Sequence, residues 1–222
     1  LTRVAIVAGE ASGDQLGAAL IAELRARCPQ LEVQGVCGPA MAAQGCVALA
    51  DASELAVMGL VEVLAHLPRL LRLRRRLRLA ITAWRPDVFV GIDAPEFNLG
   101  LAARLHEAGV KTVQYVSPQV WAWRERRVSG IARACDLVLC LLPFETPFYA
   151  RHAVRAQFVG HPLADQLPLE PDRGAARRAL DLPADAAVVA LLPGSRHGEV
   201  MRLTPDFIAA ARTLAARRPG IL

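Results

Sequence analysis

Lysine is almost missing from this chain: of 26 basic residues only Lys111 is a lysine, so arginine carries the positive charge. With abundant alanine, that bias reads as GC-rich coding rather than as a functional signature. Aromatic residues are also scarce, 5% against 54% hydrophobic residues overall. None is interleaved with the basic run at 72–78, which argues against a nucleic-acid surface built from stacked bases. Cys28, Cys37, Cys46, Cys135 and Cys140 form no C-x-x-C and no metal-ligand spacing. An odd, scattered set of this kind reads as reduced, buried thiols in a cytosolic compartment. No run approaches the ~18 apolar residues that a membrane-spanning helix needs. The first apolar run, VAIVAG, is short and meets acids at once, so no signal peptide is expected. Neither G-x-G-x-x-G nor G-x-x-x-x-G-K-[ST] occurs, which removes the dinucleotide fingerprint and the P-loop. No D-x-D is present either, so no metal is expected.

What remains is a chain of 222 residues, long enough to bury a good core. Its net charge of +5 and pI near 9.3 suit an anionic partner, and codon bias alone could also produce them. Short β-branched runs at 3–9, 32–38, 87–93, 111–117, 136–142 and 156–161 alternate with longer helical patterns. They are apolar on both faces, as parallel strands covered by helices should be. The expected fold class is α/β, a doubly wound Rossmann-like parallel sheet. After 167 the composition turns to Pro, Asp and Arg, which reads as a linker over 168–186. A new strand at 187–196 and a helix from Glu199 to Arg217 then open a second Rossmann-like unit over 187–222. The chain starts without methionine and stops after a helix, so a fragment is expected.

Ligands of open α/β sheets sit outside the carboxyl ends of the strands, so the residues following each strand are the candidates. After the first come Glu10, Ser12 and Asp14. Ser12 suits a helix N-cap and Asp14 a first-turn acid, whereas capping does not need Glu10. After the 87–93 run, GIDAPEFN offers Asp93, either a general base toward a sugar hydroxyl or an Asx-turn, together with Asn98. VSPQVWAWRERR offers Ser117, Trp121 and Trp123, an aromatic wall or, as is commoner for tryptophan, part of the core. LPGSRHGE places Gly194, Ser195 and Arg196 at a helix start, a credible diphosphate seat. The 66–84 stretch puts Leu70, Leu73, Leu77, Ile81 and Trp84 on one face and Arg72, Arg75, Arg76 and Arg78 largely elsewhere. That pattern fits a docked helix with a solvated arginine face or a basic patch on an anionic membrane.

AGEASGDQLGA, LAVMGLVEVL, VGIDAPEFNL, YVSPQVWAWRERRV and LLPGSRHGEV, in this order and spacing, resemble the lipid-A-disaccharide synthase family from about Val4 to Arg217. The resemblance implies a GT-B fold and an inverting, metal-independent glycosyltransferase, a hexosyltransferase without a cofactor. It also implies a peripheral position on the cytoplasmic face of the inner membrane of Gram-negative bacteria. The implied reaction moves 2,3-diacylglucosamine from its UDP derivative to 2,3-diacylglucosamine 1-phosphate (lipid X), giving lipid A disaccharide 1-phosphate and UDP. Asp93 then matches the family's candidate base, Glu10 the acid of its first loop, and Arg196 the arginine of its second-domain loop. Two positions depart from the pattern: Glu96 where aspartate is commoner, and Gln119 where serine is commoner. The fragment alone is expected to be inactive, and homodimerisation of the full-length form stays open. Rival readings are another GT-B enzyme, such as a UDP-sugar epimerase, or a non-catalytic lipid- and membrane-binding fragment.

Overall fold

Strand β1 (Thr2–Ala8) sends its side chains by parity into two different cores. Val4, Ile6 and Ala8 join one buried cluster, and Ala5 and Val7 join another. A strand buried on both faces needs helices above and below it, and the chain supplies them in alternation. Helix α1 (Ala11–Arg27), β2 (Leu31–Cys37), α2 (Pro39–Ala43) and β3 (Val47–Asp51) come first, followed by α3 (Leu60–Trp84), β4 (Val88–Ile92), α4 (Pro95–Glu107) and β5 (Lys111–Tyr115). Then come α5 (Val120–Trp123), α6 (Val128–Ala134), β6 (Leu137–Cys140), α7 (Glu145–Arg151), β7 (Ala156–Phe158) and α8 (Leu163–Gln166). The structure is a computed structural model that describes residues 1–55, 60–195 and 197–222. Within these it describes every side chain but those of 60–66, Trp123 and His197. Positions 56–59 of the LAVMGLVEVL stretch and Arg196 thus lie outside the described residues.

Among the described residues seven strands form one sheet in the order β3-β2-β1-β4-β5-β6-β7, every neighbouring pair parallel. The fold is the expected doubly wound α/β sheet. Leu16 and Ile21 of α1 and Met41 of α2 close one face, while Leu73, Leu77 and Ile81 of α3 and Phe97, Leu101 and Leu105 of α4 close the other. The apolar stripe of 66–84 is therefore the docked face of α3, and Arg72, Arg75, Arg76 and Arg78 are exposed. The sequence pattern did not reveal β3, a short edge strand with Val47 62% exposed, because an edge strand lacks the two-sided apolar signature. Four of the five free cysteines are buried and Cys28 is half-buried.

The chain divides into two compact units, Leu1–Gln166 and Leu167–Leu222. In the second, Asp172 caps α9 (Arg173–Ala179), its carboxylate accepting the Ala175 N–H at 2.8 Å, and α10 (His197–Arg217) follows. Among the described residues of the 187–196 segment, the expected strand is not formed. Their backbone makes two bonds, Val189 N–H to the Leu222 carbonyl and Leu222 N–H to that of Ala187, each 2.9 Å. A strand exists through its ladder, and two bonds do not make one.

Asp14 lies in the first turn of α1, as expected of a first-turn acid, and does more than complement the helix dipole. It is 4% exposed, and its carboxylate accepts N–H bonds from Gly38 at 2.8 Å, Ala40 at 2.8 Å and Met41 at 3.1 Å, so it caps α2. A Cβ on Gly38 would come within 2.6 Å of that carboxylate, so only glycine allows the approach. Asp14→Ala strands these amides and is expected to cost about 2–4 kcal/mol, read as a lower urea midpoint, with Asp14→Asn in between.

Candidate active site

The strand order reverses between β1 and β4, and the crevice outside such a switch point is where open α/β sheets bind ligands. Ala8 pairs with Ile92 there, so the chain leaves β1 through Gly9 and Glu10 beside the place where it leaves β4 through Asp93 and Ala94. The two exits nearly touch: a Cβ on Gly9 would stand 3.1 Å from the Ala94 Cβ. Glu10 holds the N-cap position of α1 in an extended conformation (φ −147°, ψ 166°) without a side-chain cap bond to the helix. Ser12, suited by its type to the cap, sits inside the first turn and is exposed, because the helix already begins at Ala11.

At the β4 exit the backbone is strained. Asp93 (φ 49°) and Ala94 (φ 39°) are both left-handed, and so is Val116 (φ 74°) at the end of β5. Each non-glycine residue held this way costs about 1–3 kcal/mol and persists only where its surroundings enforce it. Two buried amides do so here. Asn98 Nδ2 donates to the carbonyls of Val7 (3.3 Å), Ile92 (3.2 Å) and Asp93 (2.9 Å). Gln114 Nε2 donates to those of Asp93 (3.1 Å), Tyr115 (3.4 Å) and Val116 (3.3 Å). Asn98 is wholly buried, its Oδ1 has no hydrogen-bond donor among the described residues, and Gly91 makes room for it, since a Cβ there would lie 2.8 Å from the Asn98 Cβ. Asn98, expected to bind substrate, is placed beneath the site as its support.

Above this floor lies a cleft of about 340 Å³, lined among others by Asp93, Glu96, Ser117, Gln119, Arg124 and Arg127. Arg127 grips Glu96 with both guanidinium nitrogens, at 2.7 and 2.6 Å. These bonds hold the Glu96 carboxyl below the usual carboxylate range and raise Arg127. The cleft therefore presents cations and acids together, a surface for polar hydroxyls rather than for a bare anion. Ser117 is 5% exposed, and its hydroxyl lies 3.0 Å from that of Tyr149. Burial pushes the Tyr149 phenol up to about 12, so it stays protonated at neutral pH.

Trp121 is a surface residue and not part of the core. It is 36% exposed, donates to Glu145 at 3.3 Å and meets Phe144 edge-on at 4.9 Å. Trp123 lies on α5, and its side chain is outside the described residues. In the second unit Gly194 has φ 139°, a Cβ on it would fall 2.7 Å from that of Glu199, and Ser195 is exposed. Asp93 and Ser117 thus share one cleft and Glu10 stands at the adjoining strand exit. Arg124 and Arg127 stand in the VSPQVWAWRERR stretch that the sequence had marked, whereas Gln114 and Tyr149 were not anticipated. Of these two, Gln114 left a trace as a polar residue within the apolar run KTVQYV.

A family model described as lipid-A-disaccharide synthetase matches residues 4–221. Over 219 residues the chain is 57% identical to the lipid-A-disaccharide synthase of Xanthomonas oryzae pv. oryzae, covering 99% of this chain and 51% of that relative. It is 56% identical to the synthase of Pseudomonas aeruginosa, with 99% and 58% covered. The chain thus spans about half the length of the curated relatives it matches. Among solved structures it is similar to a UDP-GlcNAc 2-epimerase from Neisseria meningitidis bound to UDP-GlcNAc, with TM-score 0.64 and 10% identity over 100% of this chain and 64% of that one. It is also similar to the glycotransferase of kitacinnamycin, with TM-score 0.59 and 20% identity over 99% and 64%. At these identities the likeness is one of fold.

Asn98→Asp keeps the shape of the support but turns an acceptor toward three carbonyl oxygens. At pH 7 it is expected to cost about 3 kcal/mol or more in chemical denaturation. The introduced carboxyl ionises less readily in the folded state, so its pKa is raised there. The penalty should therefore grow as pH rises above about 4 and shrink toward acid, where the protonated group can donate again.

Proposed function

Because this chain belongs to the lipid-A-disaccharide synthase family, we propose that it supplies the acceptor side of an inverting glycosyltransferase of lipid A assembly. The donor is UDP-2,3-diacylglucosamine, the acceptor is lipid X, and the products are the β-1,6-linked disaccharide 1-phosphate and UDP. The observation that carries this reading is the position of Asp93. It stands in a strained turn at the switch point of the sheet, lines the cleft and has Glu10 at the neighbouring strand exit.

Inverting transfer is a single displacement. The Asp93 carboxylate takes the proton of the acceptor 6′-hydroxyl, and that oxygen forms a bond to C1 of the donor sugar. The bond from C1 to the diphosphate breaks, its electron pair leaves with UDP, and the configuration at C1 inverts. The backbone strain fits this role, since a carboxylate fixed by an over-determined turn loses little freedom when the acceptor arrives. Glu10 accepts hydrogen bonds from sugar hydroxyls. Stabilising the departing diphosphate falls to Arg196 with the amides around Gly194 and Ser195. The exposed faces of Trp121 and Phe144 offer apolar surface to acyl chains. The outward arginines of α3, among them Arg72, Arg75, Arg76 and Arg78, face the anionic surface of the inner membrane.

The test is Asp93→Asn in a protein extended to the full length of the curated relatives. Loss of general-base catalysis is expected to lower turnover by about 10²–10⁴ with KM little changed. A fall of less than about tenfold places the base elsewhere.

A further inference from the structure

Among the described residues, helix α7 contributes nothing to the lining of the Asp93 cleft, yet it holds one wall of that cleft. That wall is the segment 117–127 between β5 and α6, which supplies Ser117, Gln119, Arg124 and Arg127. Glu145, Tyr149 and the C-cap residue His152 follow one another at i, i+4 and i+7, so they share one face of the helix. All three meet the wall. Glu145 Oε1 accepts the Trp121 indole N–H at 3.3 Å, the Tyr149 hydroxyl lies 3.0 Å from that of Ser117, and His152 Nε2 lies 3.0 Å from Glu125. Glu145 is 4% exposed and Tyr149 is wholly buried, and polar groups taken this far out of water need bonded partners. Both find such partners on the wall, and Phe148 backs the pair, edge-on to the Tyr149 ring at 5.3 Å.

We propose that Tyr149 is a positioning residue of the cleft, which donates its phenolic proton to Ser117 Oγ and so leaves the serine proton for an oxygen of the acceptor sugar. Each hydroxyl has a single proton to give, so the direction of this bond decides what Ser117 can do. A phenol is the stronger acid and the better donor of the two, and an alkyl hydroxyl is the better acceptor. The Pro118 carbonyl is also within reach of both protons, but it lies 3.4 Å from each oxygen, beyond the usual length of such a bond. Among the described residues the Ser117 proton then has only that long bond, which a ligand oxygen at normal distance displaces. Glu145 and His152 pin the same wall further along, at Trp121 and Glu125, so the serine has a fixed place from which to donate. The inference rests on the glycosyl-transfer reading of the cleft and adds to it one polar contact and the residue that orients it.

Kinetics are measured on the protein extended to the full length of the curated relatives, with lipid X as acceptor and UDP-2,3-diacylglucosamine as donor. Tyr149→Phe keeps the ring and removes the proton. It is expected to raise the acceptor KM about five- to tenfold, the worth of one neutral hydrogen bond, with kcat changed by less than about twofold. Ser117→Ala should do the same, and the double variant should be no worse than either single one, since both remove the same contact. A second readout needs no turnover. The 222-residue chain has only two tyrosines, so with carbon-13 at the tyrosine ζ position the Tyr149 resonance is assigned by its absence from Tyr149→Phe, and Ser117→Ala should shift it. Circular dichroism and urea midpoints establish that each variant is folded. An active enzyme whose KM is unmoved by Tyr149→Phe, or in which the two substitutions add, overturns this inference alone and leaves Tyr149 a support of the fold. A Tyr149 resonance unmoved by Ser117→Ala removes the hydroxyl bond and the inference with it. An extended protein that transfers no sugar overturns the glycosyl-transfer reading together with the sugar contact built on it.

Discussion

One buried amide ties the two halves of the sheet together at the point where their order reverses. Asn98 donates to Val7 of β1, to Ile92 of β4 and to Asp93 just beyond, so β1, β4 and the strained turn share one donor group. Without that donor, the Val7 and Ile92 carbonyls would each lose a bond, the Asp93 carbonyl would keep only Gln114, and the left-handed pair at Asp93 and Ala94 would lose part of what holds it. Gln114 repeats the device from β5, joining the Asp93 carbonyl to that of the third strained residue, Val116. At the cleft, strain and its restraint therefore come from the same few residues.

The acids of the opening loop divide their work by depth. Asp14 faces inward and is used up by the amides that start α2, which anchors the β2 exit to α1. Glu10, one helical turn earlier, stands where β1 ends and makes no side-chain cap bond to the helix it precedes. A glycine-punctuated loop at a helix start would suit phosphate if its charge were positive. Here one acid is structural and the other stands at the strand exit beside a cleft that holds Asp93, Arg124 and the Arg127–Glu96 pair. Such a cleft favours hydroxyl-bearing ligands and leaves phosphate chemistry to cationic surfaces elsewhere in the chain.

The doubly wound sheet and the docked face of α3 were legible in the sequence because burial on both faces leaves continuous apolar runs, and burial on one face leaves a helical stripe. Asp93 was legible as a polar residue directly after such a run. The support of Asp93 was less so: Asn98 reads like any polar residue in a first helical turn, and only its three bonds distinguish it. Trp121 shows the opposite failure, since tryptophan is commonly buried and this one is held at the surface by Glu145 and Phe144. The strand expected at 187–196 failed because periodicity reports what a segment can pair with, not whether a partner is present.

The sequence by itself determined which segments form the strands buried on both faces, which face of α3 is docked, and which polar residues follow those strands. Those properties depend on neighbours within a few residues, and periodicity of 2 or 3.6 records them. Only the tertiary structure decided that Glu10 and Asp93, more than eighty positions apart, leave adjacent strands at one switch point, and that Asn98 and Gln114 converge on a single carbonyl. It also set Glu145 and Tyr149 of α7 against the wall of the cleft. Strand order and helix docking create these juxtapositions, and no local pattern encodes which distant strand will lie beside a given one.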